Sequence, residues 1–427
     1  MNTNIQLPPE QYLIDLRREF HAYPEPGWCE YWTTVRIVEE LEDIGVDDIH
    51  IGPDALDTNE RLGVPEERVL SEWFDKAESK TNRTDILERI EGGRTGAVAV
   101  VDRGDGPTVG LRVDIDALPI RESTDGDHVP AAECFRSKNE GFMHACGHDA
   151  HVAFGLGTLR TVAESEFRGT FKVFFQPSEE LLGGGKPMAV GPHVDDVDYL
   201  IGTHVGLDHP TGTVISGIDE VLALSRLAIT FSGESAHAGV APNQGSNAVQ
   251  AFVTAASNVY GIPRHSDGAT RVNVGEISSD NPANVIADRA TATIEVRGES
   301  NDAMEYMRDS VRRYVESAAE MHGCEAEIAL VGAGIREDSD EELVELVSEV
   351  ANGIDSVSSV VRRGSAGASE DVTYLMRVVK ANGGNASYIG IGGGNPSGHH
   401  TPTFDIDEDC LLIGVSTLSK TVLELLS

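Results

Sequence analysis

The feature that most constrains this chain is a repetition. Three successive β-type runs, residues 108–113, 170–175 and 199–203, lead into R-V-D-I-D-A-L-P, Q-P-S-E-E and T-H-V-G. Asp114 and Asp116, Glu179 and Glu180, and His204 therefore sit at or just beyond strand ends. Open α/β sheets build their sites at the carboxyl ends of strands. Two acids at i and i+2 on extended chain point the same way. Solvated turn acids would account for one such tip, but three in order point to a metal centre.

Between the first two tips lies G-F-M-H-A-C-G-H-D-A-H, residues 141–151, with His144, Cys146, His148, Asp149 and His151. Imidazole, thiolate and carboxylate are the ligand types that hold zinc or manganese. Ala145 and Gly147 let the backbone bend, and the apolar run 152–159 reads as a helix entered from this loop. Loop histidines at a helix start beside a buried cysteine are the plainer alternative.

The rest of the chain supplies a scaffold around these tips. Residues 9–23 and 30–45 read as amphipathic helices, and His21 on the first is a structural or pocket-wall residue. Residues 46–92 read as an insertion with a polar helix from Pro65, because strand signals begin only at Thr95. The runs 96–101 and 108–113 read as a hairpin around Gly104-Asp105-Gly106. From 213 to 331 the order becomes strand 222–232, helix 247–261, strands 270–277 and 290–297, helix 302–322 and strand 326–331. This β-α-β-β-α-β order predicts a ferredoxin-like α+β domain inserted into the first. The expected architecture is an α/β/α catalytic domain with a central mixed sheet, residues 1–212 and 332–427, plus that inserted lid or dimerisation domain. Near the end, His399 and His400 precede a proline-bearing turn and could reach the site.

Charge narrows the partners. Seventy-one acids against 33 bases, only seven of them lysine, give −38. Such an excess repels nucleic acid and anionic membranes. A carboxylate-coated, lysine-poor surface predicts a halophilic setting. No run of about 18 apolar residues predicts a membrane span, and the N-terminal ten residues have no secretory pattern. Five scattered cysteines predict a reducing, cytoplasmic compartment; only Cys146 has ligand neighbours, and Cys29, Cys134, Cys324 and Cys410 read as buried small apolar residues.

With these motifs in place, the chain resembles the dinuclear metal amidohydrolases related to carboxypeptidase G and aminoacylase. The resemblance runs from L-R-R-E-F-H-A-Y-P-E-P-G-W through R-V-D-I-D-A-L-P, M-H-A-C-G-H-D-A-H, Q-P-S-E-E, G-E-S-A-H-A-G-V-A-P and N-V-I-A-D to G-H-H-T-P. Within that family it is similar to the branch of indole-3-acetyl-amino-acid and aminobenzoyl-glutamate hydrolases. The segment 46–92, E-G-G-R-T-G, S-D-G-A-T-R-V-N-V-G and S-A-G-A-S-E-D-V-T resemble the A-type catalytic subunit of the latter.

The resemblance implies two divalent ions, manganese or zinc, held by Cys146 as the bridging ligand with His148, Glu180, His204 and His400. It implies Glu179 as general base, Asp116 as the acid orienting the metal site, and Asp114 behind it. It implies His237 as an oxyanion donor, often across a dimer interface, and Asn284 and Arg297 as binders of the substrate carboxylate. Ser178 and Leu181 stand where relatives have small residues around the glutamate pair. The residues alone leave His237 as a helix cap, Arg297 as a surface ion pair and Asn284 as a turn residue. The activity implied is hydrolysis of an N-acyl or N-aroyl amino acid, p-aminobenzoyl-glutamate foremost. Broad aminoacylase, indole-3-acetyl-amino-acid or dipeptide hydrolysis is the first alternative. The second is a non-catalytic or partner-dependent subunit. The implied assembly is a homodimer or a hetero-oligomer with a related subunit.

Overall fold

Helices form where the apolar spacing places them. Glu10–Ala22 buries Leu13, Leu16 and Phe20, and Tyr31–Ile44 buries Val35, Val38 and Leu41 before Gly45 ends it in the left-handed conformation. The Glu25 carboxylate accepts the Trp32 and Thr33 amides and so satisfies the open first turn of that second helix. The computed structural model describes residues 5–365, 367–394 and 397–427. The first four residues of the N-terminal segment, and Ala366 of the S-A-G-A-S-E-D-V-T run, lie outside them.

The strands, in chain order, are β1 (Asp48–Ile51), β2 (Ala97–Asp102), β3 (Thr108–Asp114), β4 (Thr170–Gln176), β5 (Tyr199–Val205), β6 (Thr213–Ile215), β7 (Ile218–Asp219), β8 (Ala223–Ser232), β9 (Thr270–Ser278), β10 (Arg289–Gly298), β11 (Glu325–Gly334), β12 (Ser359–Val361), β13 (Gly364–Ser365) and β14 (Asn385–Ile391). The chain divides into two units. One comprises Met1–Asp219, Glu337–Ala366 and Asp371–Ser427; the other comprises Glu220–Arg336 and Gly367–Glu370. The second unit begins at Glu220 and not at 213, because β6 pairs with β14 and β12 and so belongs to the first.

The first unit carries a mixed eight-stranded sheet in the order β1-β2-β4-β3-β5-β14-β6-β12. Both faces are buried. Ala97, Ala99, Val113 and Phe175 pack under the helices His148–Ala163, Glu10–Ala22 and Asp409–Leu425, while Val98, Phe174 and Leu200 pack under Val372–Ala381. Close approach needs a missing side chain at Gly155, where a Cβ would lie 2.9 Å from Phe175 and 3.0 Å from Val113. Among the described residues, no helix is long and apolar enough to cross a membrane.

Three further expectations are corrected. The runs either side of Gly104-Asp105-Gly106 do not form a hairpin. β4 lies between them, antiparallel to β2 and parallel to β3. The connecting loop bonds to the start of β4 instead, through Arg103 N–H to Gly169 and Thr170 N–H to Pro107. Strand structure begins before Thr95, since β1 pairs antiparallel with β2 from Asp48↔Val100 to Ile51↔Ala97. Its four residues carry little local signal; the pairing comes from a strand some fifty residues later. Of the cysteines, Cys29 and Cys410 are buried, but Cys134 is exposed and Cys324 half-buried.

The second unit is the expected β-α-β-β-α-β arrangement. Its antiparallel sheet runs β11-β8-β10-β9. Leu227, Ile229 and Phe231 from β8 and Ile294 and Val296 from β10 meet the helices Ala248–Val259 and Asn301–Met321 in one core. Asn247 and Ser300 cap these helices by accepting the Gln250 and Ala303 amides.

Candidate metal centre

The loop before His148–Ala163 turns at Gly147, which has φ +88 and where a Cβ would lie 2.3 Å from Val205. That turn brings Cys146 and His148 together. Two sets of donors converge here: Cys146 with His148 and Glu180, and Cys146 with His204 and His399, the donor atoms of each set lying within 4.8 Å of one another. The sets share one sulfur. Cys146 Sγ is 3.5 Å from His204 Nε2 and 3.6 Å from His399 Nδ1. Donors on one tetrahedral ion stand roughly 3.5 Å apart when bonds are about 2.0–2.3 Å.

Hydrogen bonds decide which ring nitrogens are available. His148 Nδ1 lies 3.2 Å from Asp116 Oδ1, while its Nε2, though buried, has no hydrogen-bond partner among the described residues. Such an orphan is expected of a group reserved for a ligand. His204 Nδ1 donates to the Val205 carbonyl at 2.7 Å, which leaves the Nε2 lone pair facing Cys146. His151 is excluded, because its Nε2 accepts the Val205 amide and its Nδ1 donates to Asp114. His144 is buried without a partner for either nitrogen among the described residues, and burial lowers its pKa to about 3. Of the three histidines in the 141–151 motif, one therefore faces the donor cluster.

His399 and His400 both reach the site in different ways. His399 Nε2 accepts the Leu207 amide at 3.2 Å, so its neutral ring carries the proton on Nδ1, directed at the Cys146 sulfur. It is placed as a donor to a thiolate, a contact that sequence reasoning missed. His400 Nε2 lies 3.6 Å from Glu180 Oε2.

The field suits cations. Burial lowers the His148 pKa, but Asp114, Asp116 and Glu180 outweigh it and raise it to about 10. Burial and neighbouring imidazoles hold His204 well below its ordinary value and His399 near 4, so both rings are neutral. Thiolate, imidazole and carboxylate in this arrangement fit divalent ions.

Carboxylates behind the donors fix them. Asp116 Oδ1 and Oδ2 accept the amides of Glu179 and Glu180, both at 3.1 Å. Glu179 is buried, with Oε2 at 3.9 Å from His148 Nε2. Asp114 bonds Arg112, whose guanidinium also reaches Asp371 and Gln176. Sequence reading missed Arg112 and Asp371; an arginine between Leu111 and Val113, two residues before Asp114, was the available signal.

The remaining candidates lie in the second unit. His237 is exposed, and its Nδ1 accepts the Gly239 and Val240 amides. Asn284 is exposed and its carbonyl accepts the Ala238 amide. Arg297 Nε is paired with Glu295 at 2.8 Å, as an ion pair on β10 would be.

A buried mixed sheet with imidazole and carboxylate donors at its strand ends, thiol and imidazole donors at the start of the His148–Ala163 helix, and a further carboxylate beside them defines a metal-dependent hydrolase of the dinuclear class. Residues 110–424 match the family described as Peptidase family M20/M25/M40. The chain belongs to that family and is a metal-dependent amidohydrolase. Indole-3-acetyl-aspartic acid hydrolase of Enterobacter agglomerans is 39% identical over 422 residues, 98% of this chain and 96% of that protein. The A-type subunit of the p-aminobenzoyl-glutamate hydrolase of Escherichia coli (strain K12) is 38% identical over 411 residues, 95% of this chain and 94% of that one. The crystal structure of an aminobenzoyl-glutamate utilization protein from Klebsiella pneumoniae superposes with a TM-score of 0.83 at 32% identity, covering 97% of this chain and 96% of that one.

Proposed function

We propose that this chain hydrolyses the amide between an aromatic acyl group and an acidic amino acid, p-aminobenzoyl-glutamate first among such substrates. Cys146, His148 and Glu180, whose donor atoms lie within 4.8 Å of one another, with His204 Nε2 facing the same sulfur and Glu179 beside them, carry the reading. The names of the relatives support its substrate part, since they pair aminobenzoyl with glutamate and indole-acetyl with aspartate. The 39% identity to the latter favours indole-3-acetyl-aspartate as a second candidate.

Cys146, His148, Glu180, His204 and His400 would hold two divalent ions, manganese or zinc, with Cys146 shared. Such ions supply Lewis acidity toward the scissile carbonyl and lower the pKa of water. Glu179 takes the proton of the attacking water and passes it to the leaving amine. Asp116 keeps the Glu179 and Glu180 amides and the His148 ring in register. With Nδ1 accepting two amides, the His237 ring presents its N–H at Nε2, a donor for the oxyanion. Asn284 and the Nη groups of Arg297 bind the amino-acid carboxylate. The setting is a salt-rich cytoplasm. The assembly is a homodimer or a pairing with a related chain; the second form is suggested by the Escherichia coli relative, which is named as one subunit of its hydrolase.

The test compares p-aminobenzoyl-glutamate, indole-3-acetyl-aspartate and N-acetyl amino acids at high salt with manganese or zinc. Amino-acid release from the first, abolished in Glu179→Gln, is the expected result. Turnover of simple N-acetyl amino acids alone would overturn the substrate assignment.

A further inference from the structure

Ser178, Glu179 and Glu180 form a turn that no regular element supports, just past the end of β4. Ser178 has φ +55, a left-handed conformation that a serine adopts only at a cost. Something outside the turn must hold it. Two carboxylates from distant parts of the chain do so. Asp116 takes the amides of Glu179 and Glu180. Glu30, at the start of the Tyr31–Ile44 helix, takes the third: its Oε1 accepts the Ser178 N–H at 2.7 Å. Its Oε2 accepts the Thr95 hydroxyl at 2.6 Å, which locks the carboxyl in place. Glu30 and Thr95 are both fully buried.

The geometry points to Glu30 as a positioning residue for catalysis: with Asp116 it cradles three consecutive amides and aims the Glu179 carboxylate. This rests on the reading of Glu179 as the base. Glu30 acts through the Ser178 amide and the Thr95 hydroxyl, so its role is one of positioning. Burial, and then the neighbouring Asp116 charge, push its pKa well above the ordinary carboxylate value. Setting two carboxyls side by side in the interior is unfavourable unless the amides between them need both.

The chemistry selects the variants. Glu30→Gln keeps an acceptor for Ser178 N–H and offers its own N–H to Thr95 Oγ1. Glu30→Met keeps the volume and removes the acceptor. In the full chain loaded with manganese, Glu30→Gln is expected to stay within about threefold of the parent in kcat. Glu30→Met should lower kcat at least tenfold, about 1.4 kcal/mol, with KM and the bound metal count unchanged. A second readout needs no turnover. In metal-free protein, amide hydrogen exchange in the peptide spanning Ser178 to Glu180 should accelerate in Glu30→Met and not in Glu30→Gln. Unchanged exchange and kcat in Glu30→Met overturn the assignment, as does a loss in which metal content falls in step with kcat. Should Glu30→Met fail to fold, Thr95→Val decides: faster exchange at 178–180 supports the role and unchanged exchange overturns it. Full activity of Glu179→Gln would remove the base while leaving the exchange result to judge whether Glu30 holds the turn.

Discussion

His399 and His400 are adjacent, yet their rings offer different things to the same centre. The Leu207 amide commits His399 Nε2 as an acceptor and turns its Nδ1 proton toward Cys146, whereas His400 stands against Glu180. His400→Ala is therefore expected to lose one of two bound ions, and His399→Ala to keep both while weakening the thiolate's environment. Elemental analysis of dialysed protein reads this directly; loss of metal only from His399→Ala would reverse the roles. Cys146→Ser should fall below one ion per chain, because the His148 and Glu180 donors and the His204 Nε2 all converge on its sulfur. Glu179→Gln should keep both ions and lose turnover by about 10²–10⁴-fold, the usual contribution of a general base. The residue types at the strand tips were readable from the sequence because each chemistry needs a particular side chain. Which ring nitrogen is free was not, since it depends on amides such as those of Val205 and Leu207 that only the fold brings near.

Helix periodicity made the Glu10–Ala22, Tyr31–Ile44 and Asn301–Met321 helices legible, because each buries one stripe against a core. Pairing was not legible at β1 and β2–β3, where the partner strand is chosen by tertiary packing and not by the turn between. Segment 46–92 shows the same limit. Beyond supplying β1, it braces the loops of the site. Trp73 stacks edge-on against Phe142 at 5.0 Å, just before the Cys146 loop, and the Leu62 carbonyl accepts the Trp28 indole N–H while its amide bonds Gly183. Trp73→Ala should cost about 3–5 kcal/mol in urea unfolding, as large aromatic truncations do, and speed exchange in the peptide around Phe142. The Glu10–Ala22 helix carries a pH signature as well. His21 is buried between Asp149 and Glu122. Burial lowers its pKa, but these carboxylates outweigh it and raise it from 6.5 to about 9. Its pairing thus stabilises fully below pH 6.5 and is lost as pH rises through 9, at most about 3 kcal/mol. Urea unfolding of metal-free protein at pH 6 and pH 9.5 should show that loss, and His21→Gln should flatten it.

Across the whole molecule, charge sets the conditions under which the fold holds. Acids outnumber bases by 38, and no amount of pairing removes that net charge. Their mutual repulsion acts over a Debye length of about 8 Å at physiological ionic strength and about 3 Å at 1 M. Surface pairs such as Arg83–Glu42 weaken under the same screening, but the bases that can form them number 33 against an excess of 38 acids. The buried pairs, Arg17 with Asp149 and Arg112 with Asp114 and Asp371, are shielded from salt by the protein around them. Net repulsion is therefore the term that salt changes most. Thermal unfolding of metal-free protein should shift upward from 0.1 to 1 M potassium chloride and level off once the Debye length falls below the spacing of neighbouring carboxylates. A chloride series reads screening, whereas sulfate would add its own strengthening of apolar burial. An unfolding temperature that stays flat or falls across the chloride range would show that the acids are spaced too widely to repel, and would remove the argument for a salt-rich setting.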